Sequence, residues 1–262
     1  MRYQRIKRKI INIVDVILVS IIVFASSQAF AQQYASDSWV SKPYGMMTVI
    51  PTIGQKSSML MTTFSLLPKW EFTAAVWVYD YDKNKRTDDG YTTSFYAKYM
   101  FYQNKAETGG MAVKFGTGLD PGLVTENGIN AFSSYWVNFP TTIPFFNNKL
   151  SWDIMPGMNT SIKNSMDSTA STSFTYTTRL AWYCFGPKLA VVGEVFGSEG
   201  KTENIPDYRI GMRWEPGPYA AFAITYSKEF NSNSGAGFEF GVMLFSPPFV
   251  GLGKHHKEQW AK

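Results

Sequence analysis

The strongest regularity in the chain is an alternation of apolar and polar residues with a period of two. Tyr208, Ile210, Met212 and Trp214 alternate with Arg209, Gly211, Arg213 and Glu215. Phe238, Phe240, Val242 and Leu244 alternate with Glu239, Gly241 and Met243, and Phe95, Ala97, Tyr99 and Phe101 with Ser94, Tyr96, Lys98 and Met100. The same rhythm runs through Ala220–Ser227 and Phe174–Trp182. Successive side chains on a strand point to opposite faces, so this pattern predicts strands and does not suit a 3.6-residue helix. Twelve strands are predicted, over 45–53, 57–67, 70–80, 91–102, 110–117, 131–139, 150–160, 172–183, 189–196, 206–215, 219–230 and 236–245. Most run for ~9–12 residues, the length a tilted strand needs to cross a bilayer's hydrocarbon.

The connections alternate in length. Leu67-Pro68-Lys69, Phe185-Gly186-Pro187-Lys188 and Pro216-Gly217-Pro218 are short, whereas 81–90, 118–130, 161–171 and 197–205 are longer and more polar. Short periplasmic turns and longer outer loops are the habit of outer-membrane barrels. With the N-terminus in the periplasm, the longer set falls outside. Two connections fit less well: 140–149 is long for a turn, and 231–235 is short for an outer loop. A soluble β-sandwich would also alternate, with its polar face toward water. Here the apolar face is rich in aromatics on nearly every strand, and the other face mixes Gly, Ala, Thr, Ser, Tyr and isolated charges. That division suits lipid outside and a wet or packed lumen inside. The expected fold class is all-β: a transmembrane antiparallel β-barrel of about 12 strands over 32–245.

The N-terminus changes the reading of charge and location. Arg2, Arg5, Lys7, Arg8 and Lys9 precede an apolar run from Ile10 to Phe24, interrupted by Asp15, and then Ala29-Phe30-Ala31. A basic head, an apolar middle and an A-x-A site describe a secretory signal peptide, 1–31, cleaved before Gln32. The run is short for a spanning anchor, which needs ~20 mostly apolar residues. The whole chain holds 25 Lys+Arg and 20 Asp+Glu; removing five basic residues and one acidic one leaves 20 against 19, a net of +1. The basic balance therefore belongs to the leader, and no nucleic-acid footprint remains. Charged residues are 17% of the chain and aromatics 16%, and after the leader no apolar stretch is long enough for a spanning helix. An exported chain of this kind can still cross a membrane as a closed barrel, which satisfies every backbone polar group internally. A polar tail, 246–262, is expected after the last strand. The implied partners are outer-membrane lipid and lipopolysaccharide, the barrel-assembly machinery and a small-molecule solute.

The chain resembles the outer-membrane family named for the meta-pathway of phenol degradation, whose members are often called transporters. The likeness spans most of the mature chain. It rests on Pro43-Tyr44-Gly45, Leu67-Pro68-Lys69-Trp70-Glu71-Phe72, Val192-Gly193-Glu194-Val195-Phe196-Gly197 and Pro206-Asp207-Tyr208-Arg209-Ile210-Gly211-Met212-Arg213-Trp214. These are strand patterns and not catalytic signatures. The resemblance implies a barrel with a transport role. The chain departs from it at the end: Phe245 or Phe249 would serve as the terminal aromatic, and a tail to Lys262 follows.

If the aromatic face meets lipid, the strand charges must face inward, because a charge at the bilayer midplane costs ~2–4 kcal/mol. Parity assigns Glu71, Lys98, Lys114, Asp153, Arg179, Glu194, Arg209, Arg213, Glu215 and Glu239 to the lumen. Lys228 shares parity with Phe222 and Ile224 and is expected at the membrane edge, where a long side chain reaches the headgroups. Glu194 is expected to pair with Arg209 and Arg213 on the neighbouring strand. Paired, the arginines are electrically quiet; unpaired, they form a positive step favouring anions. Ile210→Arg is expected to block assembly or strongly destabilise the barrel, and Gly211→Ser, on the lumen side, to be mild.

Chemistry at a catalytic site is not indicated. The two histidines, His255 and His256, lie beyond the last strand, so a Ser/His/Asp site or a His-containing metal site in the barrel is not expected. Cys184 is the single cysteine, which excludes a disulfide framework and a Cys-based metal cluster. No P-loop or dinucleotide fingerprint appears, and no cofactor is implied. Asp80, Asp82, Asp88 and Asp89 lie among Lys83, Lys85 and Arg86, and read as a solvated mixed-charge loop. The expectation is a pore or transporter for small molecules, aromatic or apolar ones among them. The competing expectation is a non-conducting barrel whose outer loops bind envelope or host components.

Overall fold

The computed structural model describes residues 45–79, 90–106, 108–118, 132, 134–162, 170–200, 206–231 and 235–249. Residues 1–31, expected to be a leader, the four aspartates of 80–89, and the residues from 250 onward, with both histidines, lie outside these. Fourteen strand segments follow one another: β1 (Met47–Gly54), β2 (Ser57–Leu67), β3 (Trp70–Tyr79), β4 (Gly90–Gln103), β5 (Gly110–Gly118), β6 (Ser134–Asn138), β7 (Thr141–Phe145), β8 (Leu150–Ile154), β9 (Gly157–Ile162), β10 (Ala170–Trp182), β11 (Leu189–Gly200), β12 (Asp207–Gly217), β13 (Ala220–Glu229) and β14 (Gly237–Phe245). All pairings are antiparallel, and β14 pairs back onto β1, with Thr48 opposite Phe245 and Ile53 opposite Phe240. The sheet therefore closes and has no edge, which is what a strand fold needs in lipid. No helix among the described residues is long and apolar enough to cross a membrane.

Two pairs of segments are single strands of the wall. β6 and β7 flank Phe139-Pro140, and β8 and β9 flank Met155-Pro156. Met111 pairs with Thr141 and Lys114 with Asn138, one unbroken register across Pro140. Counted this way the barrel has twelve strands. A proline has no N–H to give the ladder, so each pairing is interrupted while the chain keeps its direction. The carbonyls still work: Pro140 O accepts from Ala112 N and Pro156 O from Phe139 N. This corrects the predicted strand 131–139 and the long turn 140–149. The strand continues to Phe145, and the turn is only Phe146–Lys149, with Phe146, Asn147 and Asn148 all at positive φ. The turn end of the barrel is thus short throughout the described residues.

The two faces of the wall differ as the alternation requires. Phe95, Phe174, Ile210, Trp214, Ile224 and Phe238 are exposed on the outside. Aromatic contacts form near both rims. Trp70 lies against Tyr99 at the turn end, and Tyr208 against Phe230 at the loop end. Inside, small and apolar residues pack without reaching water, among them Met59, Met61 and Ala75 on one side and Ala190, Val192 and Ala223 on another. After Phe245 the chain stays on the wall for four more residues: Ser246 N donates to Met47 O and Phe249 N to Gly45 O.

Candidate functional site

The inward face holds the chemistry. Glu71 and Lys98 stand opposite each other on β3 and β4 and form an ion pair, each almost fully buried. Lys114 follows on β5, opposite Lys98. Its ammonium sits 4.3 Å from the centre of the Tyr96 ring and 5.3 Å from that of Trp136, close enough for cation–π attraction to both. Further round the wall, Arg179 on β10 grips Asp153 on β8 through Nε at 2.9 Å and an Nη at 2.7 Å. The Thr142 hydroxyl donates to the other oxygen of the same carboxylate. Buried carboxylates need such partners, because an isolated buried charge is expensive.

Arg209 on β12 lies between two acids. Its Nη1 is 3.1 Å from Glu194 on β11, and its Nε is 3.1 Å from Glu239 on β14. Thr225 donates to Glu239 at 3.0 Å, and the guanidinium lies 5.0 Å from the centre of the Phe196 ring. Arg213 stands opposite Ala190 and Ala223, so no carboxylate faces it across the strands. Its partner is Glu215 on its own strand at 2.9 Å, rather than Glu194. Glu215 also accepts from the Tyr183 hydroxyl at 2.8 Å. Tyr183 lies in the turn after β10, and burial pushes its phenol up to about 12, so it stays a donor at neutral pH. Lys228 is on the outward face at the end of β13, opposite Tyr208.

Two inward charges lie at the loop end and were not singled out by sequence: Asp207 and Glu229, directly opposite each other on β12 and β13. Parity with Arg209 and Thr225 was the available signal. Gly211 differs in kind from its reading. A Cβ there would lie 2.4 Å from Ile224 O and 2.6 Å from the Thr225 methyl. Gly211→Ser is therefore disruptive and not mild, since backbone must move to admit it.

A chamber of about 500 Å³ occupies the loop side of the lumen, with Trp77, Tyr96, Lys114, Trp136, Phe196 and the Asp207–Glu229 pair in its walls. Trp136 can lie there because its cross-strand partner is glycine: a Cβ on Gly116 would come within 2.5 Å of both the Trp136 ring and the Tyr96 Cβ. Asn138, also in the chamber wall, accepts from the Thr175 hydroxyl at 3.1 Å. On the turn side a separate cavity of about 1110 Å³ is lined by Asp153, Arg179, Tyr183, Arg213 and Glu215 among others. The buried pairs Glu71–Lys98 and Arg209–Glu194 line neither cavity.

The barrel is similar to solved outer-membrane proteins. The KdgM porin matches with a TM-score of 0.52 at 10% identity, over 76% of this chain and 98% of that one. The NanC porin matches at 0.51 and 8%, over 76% and 98%. An outer-membrane channel from Pseudomonas putida F1 matches at 0.50 and 10%, over 79% and 97%. No family model matches the chain, and no curated protein matches its sequence. At these identities the likeness shows the fold: the closed, antiparallel, 12-strand barrel of outer-membrane porins.

Proposed function

We propose that this protein is an outer-membrane pore or transporter for small solutes, including ones with an aromatic or apolar body, and that it is not an enzyme. The observation that carries the reading is the loop-side chamber, an open volume inside a closed barrel and walled by Trp77, Tyr96, Trp136 and Phe196. Its support from other proteins is that those sharing the fold are porins and a channel. The resemblance to the phenol meta-pathway family points the same way. The KdgM porin has been solved with oligogalacturonate, but a polyanion suits this lumen poorly. Arg179, Arg209 and Arg213 each already hold a carboxylate. The mature chain is proposed to start at Gln32, with the longer loops outside.

A second reading, a non-conducting interaction barrel, is favoured by one observation. Inward charges that line neither cavity are nearly sealed from water, with Lys98, Glu194 and Arg209 at 2%, 3% and 3% exposure. Single-channel recording on the refolded protein in a planar bilayer separates the two. The pore reading expects discrete conductance steps. A protein that shows heat-modifiable migration, and so is folded, yet passes no current and no small aromatic solute would establish the plugged barrel.

A further inference from the structure

The inward charges are not spread evenly around the lumen. On the β3–β5 wall Lys98 and Lys114 face Glu71, two cations to one anion. Among the described residues of the β11–β14 wall, Glu194, Asp207, Glu215, Glu229 and Glu239 outnumber Arg209 and Arg213, five anions to two cations. The order of strands in the closed sheet puts these walls on opposite sides of the barrel. Asp153 and Arg179, on the wall between, cancel. Lys114 from the first wall and Asp207 and Glu229 from the second line the same chamber. A field therefore runs across this space, in an environment where charges are screened less than in water.

We infer that the loop-side chamber is a binding station for a small zwitterion with an aromatic body, its carboxylate drawn to Lys114 and its ammonium to Asp207 and Glu229. This rests on the pore reading and names the solute class of that site. A solute with one charge is attracted by one wall and repelled by the other. A dipolar solute gains from both, provided it lies across the lumen. The aromatic requirement comes from Trp136, packed against Gly116 and tilted against Tyr96, and from Trp77 and Phe196. Rings of this kind offer faces on which another ring stacks. The chamber's size falls in the range of small-ligand pockets, ~300–1,000 Å³.

The test is calorimetric titration of the refolded chain in detergent with four probes of similar shape. They are L-phenylalanine, hydrocinnamate (no amine), phenethylamine (no carboxylate) and phenethyl alcohol (no charge). L-phenylalanine is expected to bind at least ~10-fold more tightly than each of the others, the worth of one good charged contact. K114Q should erase its advantage over phenethylamine, and D207N/E229Q its advantage over hydrocinnamate, while K114R keeps the wild-type order. The inference is overturned if either singly charged probe matches L-phenylalanine on the wild type, if L-phenylalanine does not bind, or if K114Q and D207N/E229Q leave the order unchanged. The wild-type ranking decides the matter even if a variant fails to fold. Conductance measured on the same preparation keeps the two readings apart. Current without the ranking removes only the zwitterion inference, and the ranking without current removes only the pore.

Discussion

Within β12 the outer and inner faces are built on different rules. Ile210, Met212 and Trp214 point outward and are 57%, 43% and 51% exposed, while Arg209, one residue from Ile210, is 3% exposed and held by two carboxylates. On the outside, identity is loose: Trp214 touches Phe222, but other apolar groups would meet lipid equally well. On the inside, each residue is specified by its partner. The outer face is thus set by residue class and the inner face by geometry, and substitutions should fail for different reasons on each.

The largest effect is expected inside. Arg179→Ala strips Asp153 of the guanidinium that holds it, and leaves a carboxylate at 2% exposure with only Thr142. Removing one partner of a buried ion pair costs ~3–5 kcal/mol. Replacing both with apolar residues of similar size should recover much of that loss. Urea unfolding in detergent measures both. A single substitution that costs as little as an exposed pair, under ~1 kcal/mol, would mean that the inner wall is wet at that level.

Next comes the outer face. Ile210→Arg puts a charge where Arg209, a residue away, is tolerated only because it faces the other side. The expected cost is ~2–4 kcal/mol near the bilayer midplane. It would be read as a lower folded fraction in liposomes by heat-modifiable migration. Normal insertion of this variant would mean that the face assignment of β12 is shifted by one residue.

How much of this was legible follows from the same division. Alternation needs only residue class, so the outward positions of β4, β10, β12 and β14 could be read directly, as could the direction of the charges. Continuity across Pro140 could not, because proline ends a ladder pairing without ending the strand, and the sequence on either side of it looks like a turn. Partners were partly legible. Glu194 and Arg209 share a cross-strand position. Alternation puts Arg213 and Glu215 on one face, but that Arg213 meets Ala190 and Ala223 across the strands, and not Glu194, depends on register that alternation does not contain. The closeness of Gly211 to Thr225, and of Gly116 to Trp136, is a matter of packing distance, which parity cannot supply. The chamber was invisible for that reason: it is bounded by rings from strands distant in sequence.

The smallest effect expected is at the turn end, where the inner face meets water and the contrast between faces should fade. Arg213 and Glu215 are only partly buried there, with side chains at 25% and 31% exposure. Tyr183→Phe removes the hydroxyl that donates to Glu215 but leaves Arg213 in place, so the loss at neutral pH should be ~0.5–1.5 kcal/mol. The alkaline limb is more telling. The phenol ordinarily ionises near 10, and burial holds it up to about 12 in the folded barrel. Below pH 10 both states keep the proton and the group has no pH-dependent effect on stability. Between 10 and about 12 the unfolded chain releases the proton and the folded one does not, so stability falls as pH rises through that window. Wild type should therefore lose more stability than Tyr183→Phe over that interval, with both measured by urea midpoints in the same detergent. Parallel curves would place the hydroxyl in water, and the hydrogen bond to Glu215 would then contribute nothing to holding the turn against the barrel.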